Sequence, residues 1–268
     1  MKYLKYYLII MLFVFCLLNT MVELVFADDH EKSKMAFLPA GEFLMGSKEG
    51  TGRKDEYPQH KVYLDGFYLD KFEVRGLDFE DYLSANPKLH PTITGWWGRK
   101  VRPDMKLRPV FGLSWKRCKN YCEWRGKRLA TEAEWERAAA GLEGRVYPWG
   151  NTQPDNKRAN FNRCCFIMKG LATDEVGVHE LGATPEGIND LAGNIAEWVY
   201  DWYDMNYYEY SEYKNPKGPT HGDNHTIRGG AWNSFSGYLR SSARFGYDEA
   251  KDFYGIGCRC AMSALKNN

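Results

Sequence analysis

The sequence predicts one domain that mixes short strands, a few helices and considerable irregular structure. Three observations lead there. Short apolar stretches broken by turn residues fill residues 35–69, two helical patterns with capping residues occupy 114–126 and 131–141, and after Gly144 the chain becomes turn-rich with scattered aromatics. With 268 residues, 9 Trp, 18 Tyr and 14 Phe, it has the apolar area for a substantial core, which excludes a long disordered chain. Its 26 Gly follow no triplet period, so it is not collagen-like. Neither a repeat nor a low-complexity linker divides it into separate units.

The first residues form a segment of their own. Lys2 and Lys5 precede the apolar run Leu8 to Leu18, and Val25 and Ala27 stand where a cleavage site before Asp28 requires small residues. The run is short of the roughly 20 apolar residues of a membrane span. Residues 1–27 are therefore expected to be an export signal, with an uncleaved anchor as the alternative. The domain is then secreted or periplasmic, or else membrane-anchored outside the cytoplasm. Without residues 1–27 the charges balance, which argues against a broad nucleic-acid surface.

Met35 to Met45 reads as strand, turn and strand around Pro39, Ala40 and Gly41. Polar Gly46 to Pro58 is a surface loop, and Lys61–Leu64 with Phe67–Leu69 form an expected hairpin around Asp65 and Gly66. Glu73 to Leu83 is a short helix interrupted by Gly76, followed by a long ordered loop over Asn86 to Pro109. Ser114 caps a helix that brings Trp115, Cys118 and Cys122 to one side and stops at Gly126. Thr131 to Glu134 is a capping box for a second helix, ended by Gly141. Thr226–Trp232 and Gly257–Ala261 read as strands.

Six cysteines lie beyond residue 27: Cys118, Cys122, Cys164, Cys165, Cys258 and Cys260. An even set in an oxidising compartment predicts one or two disulfides, whose connectivity spacing does not fix. Cys118 with Cys258 is one pairing suggested by matched offsets, and Cys164 with Cys165 are reduced or an adjacent pair. The spacings do not make two separated zinc knuckles. Ser234 with a His and an Asp lacks a nucleophile elbow, and the Tyr207 to Tyr213 tract carries too many acids for a nucleic-acid stacking platform.

The segments GLSW at Gly112, WRGKRLATEAEWE at Trp124, YPWGN at Tyr147, GNIAEW at Gly193, RGGAW at Arg228 and GCRCA at Gly257 together resemble the formylglycine-generating enzyme, or sulfatase-modifying factor, family. The resemblance runs over residues 35–264. It implies an α+β, C-type-lectin-like domain of the formylglycine-generating-enzyme fold with limited regular structure. Family enzymes oxidise a peptidyl cysteine of a sulfatase to formylglycine with molecular oxygen and a copper ion held by a cysteine pair shortly after the RGGAW match. Between Ala231 and Gly257 this chain has no Cys; Asn233, Ser234, Ser236, Leu239 and Ser241 occupy the region. Neutral hydroxyls do not reproduce a soft thiolate site for Cu(I), so no copper and no routine formylglycine generation are expected.

The resemblance also implies structural calcium, with ligands at Asn160, the Phe161 carbonyl, Asp174 and the Val176 carbonyl, and a second site at Asn194 and Glu197. It further implies a disulfide between Cys122 and Cys260. A groove retained without copper would have Trp232, Asn233, Ser234 and Arg244 near its floor, Trp96, Trp97, Trp149 and Trp198 shaping its rim, and Arg228 or Arg244 orienting a carboxylate or carbonyl. For each Trp, core packing competes with this role; for each Arg, a structural ion pair does. The functional expectation is an exported noncatalytic or accessory protein that binds a polypeptide or other ligand, without nucleic acid, and with a membrane only if residues 1–27 are retained. A divergent metal-dependent oxidoreductase acting on a peptide or small molecule is the alternative, with His179, His221 and His225 as its candidate ligands.

Overall fold

The computed structural model describes residues 32–91, 95–163, 172–248 and 254–264. The expected export segment and the adjacent Cys164 and Cys165 lie outside these residues. Strands β1 (Met35–Leu38), β2 (Gly41–Met45), β3 (His60–Leu64) and β4 (Phe67–Asp70) come first, then helix α1 (Gly76–Ala85). Next are β5 (Trp96–Trp97), β6 (Lys100–Val101), α2 (Trp115–Trp124), β7 (Arg128–Leu129) and α3 (Glu132–Ala140). The C-terminal half supplies β8 (Ala196–Trp202), β9 (His225–Arg228), β10 (Arg244–Tyr247), β11 (Ile256–Gly257) and β12 (Cys260–Ser263). Among the described residues no helix is long and apolar enough to cross a membrane.

The strands make two four-stranded sheets, ordered β1-β4-β12-β7 and β10-β9-β8-β11, with β2-β3 and β5-β6 as separate pairs. This corrects the expected hairpin at Asp65 and Gly66. The neighbours β3 and β4 part company: β3 pairs with β2 over five residues, and β4 pairs with β1 and the distant β12. Inward residues explain the choice. Phe43, Val62, Leu64, Leu69 and Ala261 share one core cluster with Trp135 and Ala138 of α3, so each strand turns its apolar alternation onto that helix.

Thr131 forms the expected capping box: its side chain accepts from Glu134 N while the Glu134 carboxylate accepts from Thr131 N, at 3.2 and 2.9 Å. Gly141 ends α3 at φ +68°, where a side chain would be strained. Every residue of α3 is buried, although the helix contains three glutamates and an arginine. A polar helix in that position must be satisfied from its surroundings. The second core cluster gathers Phe79, Leu83, Cys118, Tyr121, Cys122, Trp198, Trp232, Ile256, Cys258 and Cys260 between α1, α2 and the sheet containing β8. Cys122 and Cys260 are joined there, with Cα atoms 5.6 Å apart, fastening α2 to β12 across 138 residues of sequence.

Candidate functional site: a buried ionic network beneath an exposed aromatic loop

In the second sheet, Arg244 of β10 lies opposite Arg228 of β9, and Arg228 lies opposite Glu197 of β8. Both arginines are fully buried, facing α3. Arg244 donates from Nε and Nη2 to the two oxygens of Glu132, each at 2.7 Å. Arg228 donates to Glu132 at 3.0 Å and to Glu136. Its Nη2 also donates to the Ser241 carbonyl at 2.7 Å, and Arg244 Nη1 reaches the Asp204 carbonyl at 2.9 Å. Glu136 accepts in addition from Gly46 N and the Tyr208 hydroxyl. Burial alone pushes the Glu132 carboxyl up, but the Arg244 and Arg228 guanidiniums outweigh it and hold the group below its ordinary range.

A second pair sits one strand away. Arg259, also buried, grips Glu197 through Nε and Nη2, the shortest contact being 2.6 Å, while Trp135 Nε1 donates to the same carboxylate at 2.8 Å. Arg228, Arg244, Glu197 and Trp198 are thus interior residues. Trp198 is 1% exposed and donates to the Leu113 carbonyl at 2.7 Å. This corrects the assignment of Arg228, Arg244 and Trp198 to a ligand groove: all three side chains are sealed from solvent and committed to partners inside the protein.

The remaining tryptophans are dispersed. Trp232 is buried in the cluster that holds Trp198, and Trp96 packs against the edge of that cluster. Trp149 stacks on Tyr147 at 5.3 Å in a different cluster, and its Nε1 donates to the Thr152 carbonyl. Trp97 is 67% exposed on β5. A cleft of about 670 Å³ lies elsewhere, lined by Asp65, Lys119, Arg128, Glu134, Tyr200 and Lys217 among others, and none of the sequence-predicted groove residues borders it.

The segment after β9 is different. Gly229 and Gly230 take φ of +85° and +69°, turning the chain sharply away from the sheet. Asn233 is exposed and Ser234 Oγ accepts from Ala231 N at 2.9 Å, closing the turn. Phe235 and Tyr238 then stand out at 66% and 38% exposure. Tyr238 packs edge-on to Phe245 at 5.1 Å, and the Arg53 guanidinium lies 4.3 Å from the Phe245 ring. Sequence reading missed Phe235, Tyr238 and Phe245, which lie close together along the chain, and Arg53, which is far from them.

The residues present do not fit copper. The turn supplies hydroxyls where a soft ion needs thiolates, and none of the described cysteines belongs to the turn. The side chains of the expected calcium sets are mostly bonded within the protein. Asp174, the one carboxylate of the first set, is bonded bidentately by Arg163, at 3.1 and 2.6 Å, and by His179 at 3.1 Å, with Arg108 3.9 Å away. Burial raises the Asp174 carboxyl, yet the His179 and Arg163 bonds bring it below its ordinary range. Of that set's side-chain oxygens, Asn160 Oδ1 is buried without a hydrogen bond. In the second set Glu197 is taken by Arg259, and Asn194 is bonded through Oδ1 to Asn160 and through Nδ2 to Glu73. The histidines are likewise separate: His179 pairs with Asp174, His221 contacts Thr220, and His225 is sandwiched between Trp115 and Trp202 at 3.8 and 3.7 Å. Among the described residues no group of three or more His, Cys, Asp or Glu is placed to hold a metal ion.

An α+β fold with a glutamate-rich buried helix, arginines on the facing strands and a disulfide from α2 to the last strand defines the class. The chain belongs to the sulfatase-modifying factor family: the model of the sulfatase-modifying factor enzyme 1-like domain matches residues 22–264. It is 32% identical over 283 residues to the formylglycine-generating enzyme of Mus musculus, covering 87% of this chain and 76% of that protein. It is also 32% identical over 281 residues to the inactive C-alpha-formylglycine-generating enzyme 2 of the same organism, covering 86% of each. The serine/threonine-protein kinase pkn1 of Chlamydia caviae is 34% identical over 245 residues, covering 85% of this chain but only 38% of that relative's length. Among solved structures, PvdO from Pseudomonas aeruginosa superposes with a TM-score of 0.70 at 25% identity, covering 86% of this chain and 94% of that one.

Proposed function

We propose that this chain is an exported, noncatalytic or accessory member of its family, which binds a polypeptide through the aromatic surface that follows β9. The observation that carries the reading is the replacement within that segment. Where the copper enzymes need a thiol pair, this chain has serines, and Phe235 and Tyr238 expose broad rings beside Phe245 and Arg53. Aromatic rings give large contact area at small entropic cost, and arginine adds a planar charged face that stacks on them, as protein-binding surfaces use. The C-type-lectin-like description of the fold, and an export signal at residues 1–27, belong to the same proposal.

The test is affinity isolation of the exported domain under native conditions, alongside a Phe235→Ser, Tyr238→Ser double variant. A specific partner polypeptide is expected with the wild type and is lost with the variant. Reproducible recovery of no partner from the native compartment sinks the proposal.

A further inference from the structure

Beside the Cys122–Cys260 disulfide lies a second pair of sulfurs. Cys118 precedes Cys122 by four residues on α2, and that spacing returns a side chain to the same helix face. Cys258 precedes Cys260 by two residues, with Arg259 between them turned to Glu197. The offsets therefore repeat the first bridge one step along each element. Cys118 and Cys258 are both fully buried in one cluster with Tyr121, Leu129, Trp198 and Ile256. Both are unbonded thiols in the structure, and burial, with a hydrogen bond between the two, pushes the Cys258 thiol up.

We propose that Cys118 and Cys258 are a second disulfide-forming site, completing a two-rung ladder between α2 and the terminal segment. The reaction is thiol–disulfide exchange. Cys118 and Cys258 each give up a proton, their sulfurs join, and the two electrons reduce the disulfide of a thiol–disulfide oxidoreductase to its dithiol, which takes up both protons. Exchange requires an accessible thiolate, and the sealed core keeps both sulfurs out of reach of any attacking sulfur. The bond is therefore made while the chain folds, before α2 closes over the terminal segment.

The two rungs are largely redundant. Once Cys122–Cys260 has closed the long loop, the second rung encloses only the few residues between the paired cysteines and removes little further chain entropy. Each rung alone restrains nearly the same unfolded ensemble. Removal of one pair is thus tolerated, and removal of both is not.

The sequence permits a direct test on the full chain. Trypsin cuts after Lys119 and Arg259, placing the four cysteines on separate peptides: residues 118–119, 120–125, 252–259 and 260–266. Chain purified from an oxidising compartment, alkylated while unfolded and digested without reductant, is expected to yield 118–119 joined to 252–259. Recovery of those two peptides alkylated, or either joined to the peptide holding Cys164 and Cys165, overturns the proposal. In a parallel thermal series, Cys118→Ser with Cys258→Ser, and Cys122→Ser with Cys260→Ser, are each expected to lower Tm by under about 4 °C. The quadruple variant should lose clearly more than the two shifts combined. A Cys122→Ser, Cys260→Ser protein as unstable as the quadruple variant contradicts the second rung, and the peptide map decides the matter if a variant does not fold.

Discussion

Two adjacent regions of this molecule treat their polar residues in opposite ways. Beneath the second sheet, Glu132, Glu136, Arg228 and Arg244 are sealed from solvent and bonded to one another. Within a few residues of Arg228 along the chain, the Asn233 to Tyr238 segment is exposed apart from half-buried Ser234 and carries no charged side chain. Several of the charged residues that announced the family belong to the first region or to the neighbouring Arg259–Glu197 pair. Glu132 and Glu136 of TEAEWE, the arginines opening RGGAW and inside GCRCA, and the glutamate of GNIAEW are the members of buried ion pairs. The motif match therefore identifies the scaffold. The chemistry of the copper enzymes depended on the neighbouring segment, and there the residues have changed.

Breaking the buried side should have the largest effect. Glu132→Ala leaves Arg228 with one carboxylate and Arg244 with none, and is expected to cost about 3–5 kcal/mol in denaturant unfolding. The same carboxylate sets an acid limit. Its folded pKa lies below the unfolded one, so its contribution is complete above the ordinary glutamate value of about 4.3 and is lost as pH falls through the folded value. Wild-type stability should fall more steeply between about pH 5 and pH 2 than that of Glu132→Gln. Thr131→Ala, which removes the cap of the same helix, is expected to cost about 1 kcal/mol.

The exposed side should respond weakly in stability and strongly in binding. Phe235→Ser with Tyr238→Ser is expected to change unfolding free energy by no more than about 0.5 kcal/mol per site while abolishing partner recovery. A large stability loss would show that the loop belongs to the core after all. Chelation should do least: with Asp174 held by Arg163 and His179, EDTA is expected to shift Tm by less than about 1 °C.

Local signals in the sequence were legible where local physics decides the structure. The capping box at Thr131, the stop at Gly141 and the helical spacing of Cys118 and Cys122 need only neighbours along the chain. The Cys122–Cys260 bridge was legible only through family likeness. Strand β8 escaped because six of its seven residues avoid exposure on both faces, so Ala196 to Trp202 shows no clean alternation. The partners of β3 and β4 escaped because pairing was decided by α3 and the distant β12, not by the turn at Gly66. For the site, residue type misled: Arg228 and Arg244 suit ligand recognition as well as a buried pair, and only the position of Glu132 separates the two.

The most direct measurement supplies the folded chain with copper, oxygen and a cysteine-containing peptide of the sulfatase type, and reads the peptide by mass for conversion of cysteine to the aldehyde. The account predicts unchanged peptide, with the motif residues intact and the thiol pair missing. Catalytic accumulation of formylglycine by this chain would contradict it.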